Sequence, residues 1–293
     1  MTGINGPAPR GGAGHSQLWQ ERMRNLILTT ALGAVLFCLA AAAGQAADLR
    51  VCADPNYLPF SNRAGQGFEN AVASLVARSL GERLVYVWDS TRGSGGFDQF
   101  LHDTLNANRC DAVMDVPYAS VNVAATRPYY VSSYVFVFPK SKGYDITSMD
   151  SPALAHLRIG YEEDTPAEDG LKLRTLIIHG KPFDIGDEEG ASPAEMLDAI
   201  ENGQINVGVT WEPAVGYYLR SRPQLAVVAV PNSRSQGSPE QYAFPMAMAA
   251  RVGDKTTRDK LDRVVGAHSA ELTALLARYG VKLYKPTDMS ASR

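Results

Sequence analysis

The residues able to do chemistry in this sequence are acids and aromatics. Asp54 and Asp115 each close a short apolar stretch, where a carboxylate either faces a cleft or caps a turn. Glu162, Glu163, Asp164, Glu168 and Asp169 form an acidic run. Hard cations take several oxygen ligands, but the spacing matches no EF-hand loop and Pro166 interrupts it, so a solvated loop or helix start is expected and no metal is assigned. Acids in a first helical turn also favour the helix dipole, which suffices for Glu168. Tyr57, Phe60, Tyr118 and Trp211 follow apolar stretches, as do Asn56, Thr165 and Glu212. Aromatic faces there either stack on a flat ligand or a partner's side chain, or simply pack an edge. Arg127 holds a carboxylate in a cleft or makes a structural salt bridge. Signatures of catalysis are missing from the sequence: there is no Walker loop, no Gly-x-Ser-x-Gly and no His-Glu-x-x-His. His102, His156, His179 and His268 are scattered, and Gly93-Ser94-Gly95-Gly96 lacks the lysine of a phosphate cradle. A non-enzyme without a cofactor is expected.

Alternating strands and helices position these residues. Leu49–Ala53 reads as a strand, Phe68–Leu80 as a helix with Phe68, Val72, Leu75 and Val76 on one face and Gly81 as its stop. Leu84–Trp88 is a strand, Phe97–Ala107 a helix, Asp111–Val116 and Tyr134–Phe138 strands ended by Pro117 and Pro139. A second set follows: strand Arg158–Tyr161, helix Pro166–Ile178, helix Pro193–Asn202 between Ser192 and Gly203, strand Ile205–Thr210, helix Ala214–Arg220 and strand Ala226–Val230. Pro231–Gln241 is loop-like. Ala243–Ala250 is a strand, and Lys255–Ala267 and Ser269–Tyr279 are closing helices. Repeated βα units imply mostly parallel sheets covered on both faces. Breaks near Ser141–Gly143 and Ser233–Pro239 predict two lobes: 47–139, then 140–240, with 241–293 returning to the first. Two crossing strands would act as a hinge. Ligands in such sheets lie beyond the carboxyl ends of strands, here after Ala53, Val116, Tyr161 and Thr210.

Residues 1–46 read as an export signal. Arg22 and Arg24 precede the uncharged run Leu26–Ala43, and Ala43-Gly44-Gln45-Ala46 offers small residues for cleavage. The alternative is an uncleaved anchor, since such a run is nearly long enough to span. Met23-Arg24-Asn25 is a more ordinary start, and on that reading residues 1–22 would be an upstream extension of the reading frame. After cleavage no long apolar run remains, so a soluble periplasmic body is expected. Lys and Arg number 28 against 31 Asp and Glu, for a net charge of −3; this balance does not recommend nucleic acid. Of three cysteines, Cys38 lies in the signal. Cys52 and Cys110 flank predicted strands and, in an oxidising compartment, are expected to form a disulfide, the alternative being two buried thiols.

Four segments carry a likeness to a known family: Leu49-Arg50-Val51-Cys52-Ala53-Asp54-Pro55-Asn56-Tyr57-Leu58-Pro59-Phe60, Gly67-Phe68-Glu69, Arg109-Cys110-Asp111-Ala112-Val113-Met114, and Ala125-Thr126-Arg127-Pro128-Tyr129-Tyr130-Val131-Ser132-Ser133-Tyr134-Val135-Phe136. They resemble periplasmic solute-binding proteins of the amino-acid type and, within these, the MoxJ/XoxJ group associated with quinoprotein alcohol dehydrogenases. The resemblance covers nearly the whole exported part. It implies an α/β type II periplasmic binding protein fold, a cleft for a small ligand or a partner, and association with a methanol- or alcohol-oxidising quinoprotein dehydrogenase. Alternatives on the same fold are a receptor feeding a small polar solute to an ABC importer permease, and an enzyme such as a cyclohexadienyl dehydratase with Glu212 as proton donor. Amino-acid binders usually place an Arg about nine residues before the Pro-Tyr element to hold the ligand carboxylate; here that position holds Ala119. Their anion-holding helix start is replaced by Gly160-Tyr161-Glu162-Glu163-Asp164-Thr165-Pro166, and an amine-binding Asp gives way to Trp211 or Glu212. The implied cleft is aromatic and acidic.

Overall fold

The computed structural model describes residues 46–91, 95–183 and 191–285, with Gly3 and Gly6. The export-signal reading of residues 1–46 therefore falls, but for Gly3, Gly6 and Ala46, outside the described residues, as do Gly93 and Ser94. Among the described residues no helix is long and apolar enough to cross a membrane.

Strand β1 (Asp48–Ala53) is followed by the small hairpin β2 (Asn56–Tyr57) and β3 (Ser61–Asn62). Helix α1 (Phe68–Leu80) starts at Gly67, whose backbone meets that of Phe60 so closely that a Cβ would lie 2.0 Å from the Phe60 carbonyl oxygen. Only glycine fits this approach. The helix buries Phe68, Val72, Leu75 and Val76, the face that its periodicity predicts, and Gly81 ends it at φ 68°. Strand β4 (Arg83–Trp88) pairs in parallel with β1. Next come α2 (Gly96–Leu101), continued by a wider turn over His102–Asn106, then β5 (Val113–Pro117) and the two-residue β6 (Ala124–Ala125). β5 joins β1 through a parallel bridge between Val51 and Ala112. Beside that bridge Cys52 and Cys110 form a disulfide.

Strand β7 (Tyr130–Pro139) serves both halves of the molecule. The second half holds β8 (Ile159–Glu162), α3 (Pro166–Leu173), β9 (Gly180–Phe183), α4 (Ala194–Glu201), β10 (Val207–Trp211), α5 (Glu212–Leu219) and β11 (Leu225–Ala229). Parallel pairs β9–β8–β10 form its centre, and β7 runs antiparallel between β10 and β11. The chain returns through β12 (Ala243–Ala250), antiparallel to β5, β6 and β7, and closes with α6 (Lys255–Ala267) and α7 (Ser269–Arg278). In β7, Tyr130–Ser133 pair with β12 while the stretch from Tyr134 onward pairs with β10 and β11. These two crossings form the hinge of a two-lobed α/β fold. Each lobe has a parallel centre, and the hinge strands add antiparallel pairs at its edge.

One difference from the periodicity has a local cause. The helix expected over Pro166–Ile178 ends at Leu173, because Thr175 turns to φ 59° and a short 3-10 turn, Leu176–His179, follows. Gly170 explains the close packing before that end: a Cβ there would sit 2.1 Å from the Tyr242 hydroxyl.

Candidate functional site

A cavity of about 530 Å³ lies beyond the carboxyl ends of β1, β5, β8 and β10. It is the crevice where α/β sheets commonly hold ligands. One wall carries Asp54, Glu69 and Asp115, with Tyr57 and Phe60 stacked at 4.8 Å between ring centres. The other carries Glu162, Glu163, Asp164, Thr165 and Trp211. Tyr134 and Phe244, from the two hinge strands, flank Trp211 at 5.3 and 5.9 Å.

Local folding sets each carboxylate. Asp54 ends β1 and folds back to accept the Asn56 amide at 2.7 Å, a turn that uses its own side chain. Its other oxygen accepts the Thr91 amide at 2.8 Å and the Thr91 hydroxyl at 3.0 Å. Asp115 lies in β5, buried, with one oxygen accepting the Tyr130 hydroxyl at 2.8 Å. Burial pushes its carboxyl up to about 7, against the pull of that hydrogen bond. Glu69 sits in the first turn of α1, and burial, then the nearby Asp115 and Asp54 charges, raise it well above the usual carboxylate range. Glu162 ends β8, accepts the Thr210 hydroxyl, and is pushed by burial up to about 7.

Thr165 caps α3. Its hydroxyl donates to the Glu162 carbonyl at 2.7 Å and accepts the Glu168 amide at 3.5 Å, while the Glu168 carboxylate accepts the Asp164 amide at 3.0 Å. Part of the helix start that could grip an anion is thus taken by Thr165, and Pro166 offers it no N–H.

Four residues singled out in the sequence stand elsewhere. Arg127 is not in the cavity: its guanidinium makes a bidentate pair with Asp262 on α6, down to 2.6 Å, at the surface. Tyr118 is half exposed and does not line the cavity. Asn56 does not line the cavity, though its amide donates to Asp54. Glu212 begins α5 one residue past Trp211, and its two carboxyl oxygens both accept the Lys282 amide at 3.0 Å. It is buried and off the cavity wall, and its carboxyl ties the C-terminal segment to α5. Burial pushes that carboxyl up to about 8, against the Lys282 amide. Conversely Glu69, Tyr134 and Phe244 line the cavity without having been assigned to it. A signal for Glu69 existed. It stands at i, i+3, i+4 and i+7 spacing with the buried Val72, Ala73 and Val76, an acid on an apolar face.

Two α/β lobes closing on a crevice, with strands passing twice between them, define a type II periplasmic binding protein. No protein-family model matches the chain. Protein MoxJ of Methylorubrum extorquens (strain AM1) is 30% identical over 258 residues, covering 82% of this chain and 83% of that protein. In three dimensions the chain is similar to MxaJ from Methlophaga aminisulfidivorans MPT, with a TM-score of 0.73 and 25% identity over 80% of this chain and 100% of that one. It is also similar to the periplasmic binding protein XoxJ from Methylobacterium extorquens AM1, with a TM-score of 0.63 and 28% identity over 81% of this chain and 99% of that one. The chain belongs to the MoxJ family.

Proposed function

We propose that this protein works in the periplasm as an accessory binding protein of a quinoprotein methanol or alcohol dehydrogenase system. It would hold a partner or a small ligand in the interlobe crevice and perform no chemistry on it. The observation that carries this reading is the lining of the crevice. A free α-amino acid needs a cation for its carboxylate, and the position that supplies it in amino-acid receptors is Ala119, exposed and off the cavity wall. At the start of α3, Pro166 has no amide hydrogen and the Glu168 amide donates to the Thr165 hydroxyl. Kinship with MoxJ directs the remaining choice toward dehydrogenase-linked binding. We take the lobes to divide within β7, between Ser133 and Tyr134, and again at Tyr242–Ala243, so that they close about these points.

The test is affinity capture of the tagged chain from periplasmic extract of its own host. Retention of the dehydrogenase, and a fall in methanol-dependent dye reduction when the chain is deleted, are the expected results. Capture of an importer permease in place of the dehydrogenase, with unchanged dye reduction, would overturn the proposal. A solute receptor for an ABC importer is the second reading, favoured by a cavity of about 530 Å³, large enough for a small solute. Tight binding of a small molecule with lobe closure, read by calorimetry and small-angle scattering, would mark it.

A further inference from the structure

The cavity is charged with one sign only. Its walls present Asp115 and Glu69 from one side and Glu162 from the other, and no Lys, Arg or His stands among the described residues that line it. Carboxylates on a surface would be solvated and mean little. Asp115 and Glu162 are buried, 6% and 8% exposed, and Glu69 is half-buried beside Asp115. Asp115 adds an independent observation. One of its oxygens accepts the Tyr130 hydroxyl, whereas Oδ1 is buried with no hydrogen-bond partner of good geometry among the described residues, the nearby Tyr129 hydroxyl donating to the Met114 carbonyl. Folded proteins rarely leave a buried acceptor unfilled, and an orphan in a cavity wall marks a donor still to come.

The donor's chemistry follows from the other wall. Trp211, Tyr134 and Phe244 form a three-ring panel. Aromatic faces attract cations, tryptophan most strongly, and offer apolar area to a hydrocarbon stem. A bare metal ion wants several converging oxygens instead, and among the described residues no three Asp, Glu, His or Cys come together to hold one. We propose that the cavity binds an organic cation, a primary ammonium or guanidinium on an apolar stem, with an N–H group on the open oxygen of Asp115, the charges of Glu69 and Glu162 facing it from the two walls, and its stem against Trp211, Tyr134 and Phe244. This rests on the crevice being the binding site, and not on which partner the protein serves. The cation can arrive as a free amine or as a Lys or Arg side chain of a partner protein. Its arrival favours the ionised carboxyls, so binding near pH 7 releases protons.

Isothermal calorimetry on the purified protein at pH 7 tests this, with 2-phenylethylammonium and hexylammonium as free cations and 2-phenylethanol and 3-phenylpropionate as neutral and anionic counterparts. A second arm uses acetylated tripeptides ending in Lys or Arg amide. The cations, free or in the peptide, bind about tenfold or more tightly than the neutral alcohol. Asp115→Asn and Glu162→Gln each weaken them by a similar factor, and the binding heat changes with buffer ionisation enthalpy as protons leave. Because Asp115 is buried, circular dichroism checks its variant, and Phe244→Leu on the opposite wall must also weaken the cations. Binding by the free amines assigns a small molecule; binding by the peptides alone assigns a partner's side chain. Equal binding of alcohol and amine, preference for the propionate, or no cation bound in either arm overturns the inference. Dehydrogenase capture is read separately, so amine binding without it would sink the accessory role and leave the cation site standing.

Discussion

Glu212 offers a sharp test of how burial works at the hinge. Its side chain is 3% exposed, both oxygens accept the Lys282 amide, and Ser132 on β7 approaches at 3.5 Å. The carboxyl rises from an ordinary 4.5 to about 8. For an acid whose folded value is raised, the folded protein keeps the proton after the unfolded chain has lost it. Stability is therefore full below about pH 4.5, falls as the pH climbs toward 8, and levels off above. At about 1.4 kcal/mol per pH unit, this window takes away up to about 5 kcal/mol. In Glu212→Gln the amide oxygen can still accept from Lys282 but the group cannot ionise. Urea unfolding at pH 4, 6, 7.5 and 9 should show the variant close to wild type at pH 4 and several kcal/mol more stable at pH 9. Asp115 and Glu162, also raised, leave both proteins a common residual decline. Parallel stability profiles for the two proteins, or a wild type that gains stability from pH 4 to 9, would refute the reasoning.

Replacing Cys52 and Cys110 by Ser opens a loop of 58 residues and should cost about 4 kcal/mol in urea unfolding; a loss under about 1 kcal/mol would contradict the chain-entropy account. Arg174→Met strands Glu240 at a pair 2.6 Å apart whose side chains are both 6% exposed, so about 3–5 kcal/mol should be lost, with partial recovery on adding Glu240→Leu. Gly170→Ala drives a methyl into the Tyr242 hydroxyl, which itself donates to Glu240 at 2.6 Å; a loss of about 1–3 kcal/mol and an altered near-UV tyrosine signal are expected. Arg127→Gln breaks only a surface clamp on Asp262 and should leave calorimetric amine binding unchanged.

Helices with one apolar face were legible from spacing: α1 lies where Phe68, Val72, Leu75 and Val76 place it. The Cys52–Cys110 bond followed from compartment and from the strands that flank it. The dual role of β7 was not legible, because Ser132 and Ser133 interrupt its apolar run. They are fully buried all the same, with the Ser133 hydroxyl positioned to donate to the Val230 and Tyr242 carbonyls at 3.2 Å. Those partners lie about a hundred residues away in sequence, and no local pattern announces them. For Arg127 the structure shows the salt-bridge reading and not the cleft one, and its partner, Asp262, on a closing helix far along the chain, is one that no local pattern could name. In the same way the strand Gly180–Phe183 is made by pairing with β8, its sequence having little strand character of its own.

The route of the backbone through β7 and back through β12 bears on the order in which the molecule can mature. The core under β1 and α1 is completed by Leu261, Val264, Leu272, Leu276 and Val281, all supplied by the last stretch of chain. The half synthesised first is thus the half finished last: its opening segments must wait, partly unclothed, while the inserted half assembles from contiguous sequence. A nascent chain halted before α6 would hold one mature lobe and one adhesive stub, a natural client for whatever holdase guards it.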